Sequence, residues 1–211
     1  MKTARVFISL AVLLAFFSSA VAIVIINNRE LKPGEEVKAQ KVELDKPVPF
    51  DFKLKTADGK TEYALSQFKG KILVIEFIAT QCPYSLGQDP VIRKVCADYG
   101  KKGVAFLGIN SNKQEPAEEV ARHQKEKKLG FPVLKDWNNV VADMFKATHT
   151  PHIFVIDAKG VLRYEGAIEP QRGEKTPYLR NALDDLLADR EVKENKTRQW
   201  GCTIKRVSKS R

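Results

Sequence analysis

The stretch Ile72-Leu73-Val74-Ile75-Glu76-Phe77-Ile78-Ala79-Thr80-Gln81-Cys82-Pro83-Tyr84-Ser85 organises the chain. Ile72 to Ile78 is a run of β-branched and aromatic residues that reads as a buried central strand. It delivers Cys82 onto a turn just before Pro83, a residue suited to the first turn of a helix. A thiol at a helix N-terminus meets unpaired backbone N–H groups and the positive end of the macrodipole, which favour thiolate over thiol and make the sulfur nucleophilic. The competing reading is a small buried core residue, since free cysteine is among the most buried types.

Downstream, a helix is expected from Cys82 to about Tyr99, with Ile92, Val95, Cys96 and Tyr99 on one face and Pro90 interrupting it. Cys96 belongs to that apolar face. At about 1.5 Å per helical residue it is too far from Cys82 to bond with it. Gly103 to Ile109 is a second strand, Glu115-Pro116 opens a helix that runs through Lys128, and Phe131 to Leu134 is a third strand. Val140, Val141, Met144 and Phe145 form the stripe of a further helix. His149-Thr150-Pro151-His152 precedes the strand Ile153 to Ile156, which turns at Asp157-Ala158-Lys159-Gly160 into Val161 to Gly166. Leu179, Ala182, Leu183, Leu186 and Leu187 make the amphipathic face of a last helix. Strand and helix alternate, which argues for an α/β sandwich with parallel central strands.

Upstream, residues 1–26 carry Lys2 and Arg5, the apolar Val6 to Phe17 and the small-x-small segment Ala20-Val21-Ala22. They read as a signal peptide or, because Ile23 to Ile26 extends the apolar run to about 21 residues, as a membrane anchor. Either places the domain on the non-cytoplasmic side, exported and periplasmic or secreted. Residues 27–46 read as a linker, 47–190 as the domain and 191–211 as a basic C-terminal tail. Of the net charge of +10, residues 191–211 contribute +5, from seven Lys/Arg against two Glu, while 47–190 hold 22 basic and 19 acidic residues. The excess therefore belongs to a solvated tail, and no nucleic-acid motif accompanies it. Within the tail, Trp200-Gly201-Cys202-Thr203-Ile204 is an apolar island. Three cysteines in 211 residues exclude a disulfide-framework mini-protein. The chain has no phosphate loop, no HExxH, no paired-cysteine zinc spacing and no GxSxG. No cofactor and no metal are expected. Cys82 with His149 or His152 lacks a second soft ligand for copper, and both histidines are expected at the surface.

Together these segments resemble the thioredoxin-fold redoxins, particularly the exported TlpA/ResA-like thiol-disulfide proteins and the neighbouring AhpC/TSA group, over roughly residues 45–188. Phe77 to Ser85 matches the active-site segment, Pro90 the helix-kinking proline, and Thr150-Pro151 the cis-proline element. The resemblance implies a thioredoxin-like sandwich, a central mixed β-sheet flanked by helices. It implies that Cys82 is the nucleophile and that Pro83, Tyr84, Ser85, Thr150 and Pro151 bind substrate, with Pro151 beside Cys82 if its bond is cis. Glu76 lies where thioredoxins carry a buried acid. It is either a raised-pKa proton relay to the sulfur or a strand residue that reaches a lysine or the sheet edge.

Two departures matter. Ser85 replaces the second cysteine of C-x-x-C, so a two-cysteine cycle inside the motif is excluded, because resolving a mixed disulfide needs a second thiolate. The expected chemistry is either disulfide exchange, with the product released by an external thiol or by Cys202, or oxidation of Cys82 by peroxide followed by condensation with Cys202. Peroxiredoxins keep a Pro-x-x-x-Thr/Ser-x-x-Cys segment, and here Ile75 and Ala79 occupy those positions while Thr80 sits one place off. The expected partners are protein or small-molecule thiols and disulfides, or peroxide. The aromatic and glycine neighbours of Cys202 suit docking of the tail onto the redox face, and the expectation is either a reversible Cys82–Cys202 disulfide, within one chain or between two, or an unpaired tail thiol. A redoxin-fold binding module without turnover is the alternative outside enzymology.

Overall fold

The computed structural model describes residues 24–26, 29–31, 41–49, 51–173 and 175–208. Its central sheet has five strands in the order β10-β9-β5-β6-β7. The middle strand, β5 (Leu73–Phe77), is buried along its whole length, as its run of apolar residues, broken only by Glu76, requires of a strand covered on both faces. β6 (Ala105–Asn110) and β7 (Val133–Lys135) run parallel to it, each reached through a helix: α1 (Pro83–Gly100) and α2 (Ala117–Lys127). On the other side β9 (His152–Ile156) is antiparallel to β5, and β10 (Leu162–Gly166) forms a hairpin with β9. This is the mixed sheet of a thioredoxin-like sandwich.

Alternation along β5 divides the core between the two sheet faces. Leu73, Ile75 and Phe77 pack with Phe52, Phe154 and residues of α3 (Val140–Met144), including Val141. Val74 and Ile78 pack with Ile92, Val95 and Tyr99 of α1 and with Leu179 and Leu183 of α4 (Tyr178–Leu187). Helix α1 continues through Pro90, whose side is exposed.

A second sheet has the order β2-β1-β3-β4, and its strand β2 falls within the stretch 27–46 expected as a linker. β1 (Val24–Ile26) and β2 (Arg29–Leu31) form a hairpin added to β3 (Phe52–Lys55), which pairs in turn with β4 (Glu62–Ala64). Val42 is buried, and its N–H bonds the Met144 carbonyl. A short apolar run such as Ile23 to Ile26 is compatible with either a strand or the end of an apolar helix, and periodicity does not separate the two. Residues 1–23, the bulk of the expected export segment, lie outside the described residues. No described helix is long and apolar enough to cross a membrane.

The solvated-tail reading of the C-terminal segment is corrected: it is a docked strap, as the aromatic and glycine neighbours of Cys202 allow. The Thr197 N–H bonds the Glu165 carbonyl, and its hydroxyl meets the Tyr164 hydroxyl and the Ala167 N–H. β11 (Cys202–Thr203) pairs antiparallel with β8 (His149–Thr150), and Ile204 is buried among Leu54, Phe145 and their neighbours. The Lys205 N–H donates to Asn112 Oδ1 at 2.7 Å, and Arg206 pairs with Asp143. Backbone pairing of this irregular kind has no helical or strand period, so hydropathy does not reveal it.

Ile204 anchors the strap. Ile204→Ala should lower stability by about 2–4 kcal/mol in denaturant unfolding and open the Lys205-Arg206 bonds to trypsin. Unchanged stability together with trypsin resistance would show that the strap does not depend on this side chain.

Candidate redox site

Cys82 is the N-cap residue of α1, with extended backbone angles, and is only 3% exposed. Its Sγ–H donates to the Thr150 carbonyl at 3.1 Å. The Thr150–Pro151 bond is cis, and Thr150 belongs to β8, so the backbone beside the sulfur is also the backbone that β11 pairs with. Cys202 stands opposite Thr150 in that pairing, and its thiol is near enough to the Cys82 sulfur to influence its ionisation. Within one chain the fold brings together Cys82, Cys202, Thr150 and Pro151. All three cysteines are reduced.

The two thiols are pushed in opposite directions. Burial alone would raise Cys82, but the Cys202 thiol, the Ser85 N–H, the Thr150 hydroxyl and the Cys202 N–H outweigh it and hold Cys82 below the ordinary cysteine range. The Thr150 hydroxyl is buried, and among the described residues no other group engages it. Cys202 is pushed up to about 11, first by burial and then by the hydrogen bond and charge of Cys82, against the opposing effects of Lys205 and the Tyr84 N–H. Of the two thiols Cys82 is therefore the one that ionises first. Cys96, half-buried on the apolar face of α1, is raised by burial.

Ser85 differs from its expected role. It is fully buried, and its hydroxyl accepts from the Ala79 N–H at 3.2 Å, so only its backbone N–H serves Cys82. Pro83 and Tyr84 are exposed, and the Tyr84 ring meets Trp200 edge-on at 5.7 Å. His152 is also a correction, because it is buried within a strand flanked on both sides and stacks near Phe154. Burial pushes it down to about 3, so the ring is neutral. His149 is partly exposed and bonds Thr148.

Glu76 is 1% exposed, and neither carboxylate oxygen has a hydrogen-bond partner. Burial, reinforced by Asp89 of α1, pushes its carboxyl well above the usual carboxylate range. Asp89 in turn lies 3.1 Å from His123 of α2.

Sequence reasoning missed the polar support of the Cys82 loop. The Glu115 carboxylate accepts the Thr80 N–H at 2.9 Å, the Gln81 N–H at 3.1 Å and the side-chain amides of Asn110 and Asn112. Lys135, 3% exposed, donates to Asn110 Oδ1 and to the Asn112 and Glu115 carbonyls, and burial lowers it to about 8. Asn112 Oδ1 also accepts the Lys205 N–H, so one network fixes both the Cys82 loop and the strap. The Thr80 hydroxyl is committed to Glu119 at 2.7 Å. The available signal was topological: the C-terminal ends of adjacent parallel strands converge, and Asn110-Ser111-Asn112 ends the strand beside β5.

The profile of the AhpC/TSA family matches residues 44–165. The Thioredoxin-like protein YneN of Bacillus subtilis is 31% identical over 54% of this chain, which spans 65% of that protein, just under two thirds. The Thiol-disulfide oxidoreductase ResA of Bacillus thuringiensis is 27% identical over 71% of this chain and 84% of its own length. An uncharacterized conserved protein from Geobacillus kaustophilus superposes with a TM-score of 0.74 at 29% identity, covering 82% of this chain and 97% of that one.

Glu115→Ala should cost about 3 kcal/mol in denaturant unfolding, because it leaves the Thr80 and Gln81 N–H groups unpaired; Glu115→Gln, which keeps one acceptor oxygen, should cost less. Equal, negligible losses would sever Glu115 from the loop. Glu76 predicts a pH dependence. The folded carboxyl holds a proton that the unfolded chain, titrating near its ordinary value of about 4.3, releases, so stability falls as pH rises above that value. Glu76→Gln should match wild type near pH 4 and become the more stable of the two toward pH 8. Parallel stability profiles would show that the carboxyl does not titrate in this window.

Proposed function

We propose, since this chain belongs to the AhpC/TSA family, that it is a thiol-disulfide oxidoreductase in which Cys82 attacks the substrate and Cys202 of the strap resolves the mixed disulfide. The observation that carries this reading is the β8–β11 pairing, which sets Cys202 opposite Thr150, the residue whose carbonyl accepts the Cys82 thiol. The name of the ResA relative supports the reaction class.

The Cys82 thiolate attacks one sulfur of a substrate disulfide. The substrate S–S bond breaks, one thiolate leaves, and the other half stays on Cys82 as a mixed disulfide. Cys202 is held up to about 11 partly by the negative charge of Cys82. Once Cys82 is bonded that charge is gone, and Cys202 gives up its proton more readily, aided by Lys205 and the Tyr84 N–H. Its sulfur then attacks Cys82, a Cys82–Cys202 disulfide forms, and the second substrate thiolate leaves. Ser85 takes no part as a nucleophile. The basic N-terminus, apolar run and Ala20-Val21-Ala22 segment support action on the non-cytoplasmic side.

Cys82→Ser should reduce disulfide turnover by about a hundredfold or more, since the attacking sulfur is removed. Cys202→Ser should accumulate the mixed disulfide on Cys82, visible as the added mass of one substrate half in non-reduced protein. The same measurement on exported protein reads whether residues 1–22 are removed. Turnover unaffected by Cys82→Ser would eliminate the enzymatic reading.

A further inference from the structure

Strand addition to an open backbone edge is a general way for a site to take an extended peptide. Here the edge beside the nucleophile is filled by the chain itself. Cys202 pairs with Thr150 and Thr203 with His149. Gly201 has φ +142°, and a Cβ there would collide with the Thr150 carbonyl oxygen, so only glycine allows this approach. Trp200 secures one end, with its ring on Tyr84 and its Nε1–H donating to the Glu169 carbonyl at 2.8 Å. Ile204 secures the other, with its side chain buried and its N–H on the Thr148 carbonyl. An incoming peptide strand must displace all of these contacts together.

A groove of about 580 Å³ remains open beside this strand. It is lined by Arg172, Arg198, His149, Tyr84, Trp200 and Gly201 among others, and none of the described residues lining it is acidic. Among the described residues neither arginine is ion-paired, and both are exposed. Gly201, next to Cys202 in sequence, and Tyr84, two residues after Cys82, both line it, so the groove borders the segments that carry the two cysteines. Its chemistry suits a small ligand carrying carboxylates.

We propose that the substrate of this site is a low-molecular-weight anionic disulfide, admitted through the Arg172/Arg198 groove, and that the docked strap excludes extended polypeptides from the Thr150 edge. This rests on the Cys82–Cys202 couple of the preceding section. With RSSR as the oxidant, the two protein thiols give up two electrons and two protons. One S–S bond breaks in the substrate, one forms between Cys82 and Cys202, and two RSH are released.

The test is the rate of Cys82 oxidation in the reduced full-length chain, read by mass, with three probes: glutathione disulfide (anionic), cystamine (cationic) and a disulfide of a neutral extended peptide. Each rate is divided by the rate of the same probe with free dithiothreitol, which removes intrinsic reactivity. Glutathione disulfide should exceed cystamine by about tenfold or more, a preference that salt diminishes. Arg172→Glu with Arg198→Glu, both at exposed positions, should invert the order. Gly201→Ala should raise peptide attack at least about tenfold by loosening the strap. Equal normalised rates for the two charged probes, no response to charge reversal, or a peptide rate indifferent to Gly201→Ala would overturn the inference. Formation of the Cys82–Cys202 disulfide without charge preference overturns this inference alone, whereas its absence with every probe overturns the couple as well.

Discussion

The antiparallel pairing of Cys202 with Thr150 brings two cysteines from distant parts of the chain, Cys82 and Cys202, to one short piece of backbone. The Thr150 carbonyl accepts the Cys82 thiol, and the strand paired with Thr150 presents the second thiol to the same sulfur. Bringing such distant segments together costs loop-closure entropy, although that cost grows only slowly with length. Several separate contacts offset it: the buried Ile204, the Trp200 edge contact on Tyr84, the Thr197 bonds at β10 and the Asn112 acceptor for Lys205. The strap thus belongs to the site's architecture as much as α1 does.

The electrostatics of the two cysteines follow from this geometry. A hydrogen bond between two thiols favours ionisation of one at the expense of the other, and here backbone N–H groups and the Thr150 hydroxyl select Cys82. Two titratable groups whose environments drive them apart are chemically distinct, Cys82 the more readily ionised and Cys202 the less. The surrounding buried groups do not compete for that charge. Glu76 is held neutral by burial beside Asp89, His152 is neutral because its strand is interior, and Lys135 spends its donors on carbonyls and Asn110. Glu115 supplies the fixed acceptor that shapes the loop before Cys82 without touching the sulfur itself.

Much of the fold is legible in local patterns. The run from Ile72 to Ile78, the Cys82-Pro83 turn, the alternation of strand and helix and the Asp157 to Gly160 hairpin all specify elements through short-range sterics and periodicity, and each occurs where those patterns place it. The paired strands 24–26 and 29–31 and the strap do not follow from them. An apolar tetrapeptide has no period to read, and the strap's affinity for the domain resides in backbone hydrogen bonds to partners far away in sequence. Ser85 shows the same division at the level of one residue. Its substitution for a cysteine is plain in the sequence, but its side chain turns to the Ala79 amide because the loop fold offers that donor.

By itself the sequence determined a strand-turn-helix that presents Cys82, a cis-capable Thr150-Pro151 element, a motif lacking its second cysteine and an apolar island around Cys202. Those are properties of residue identity and near-neighbour spacing. Only the tertiary structure decided that the island docks on the Thr150 edge, that Cys202 meets Cys82 within one chain, and that Glu115, Asn112 and Lys135 tie both segments to the sheet. Contacts between residues widely separated along the chain depend on how strands order in the sheet and where their ends converge, and that is settled when the whole core packs.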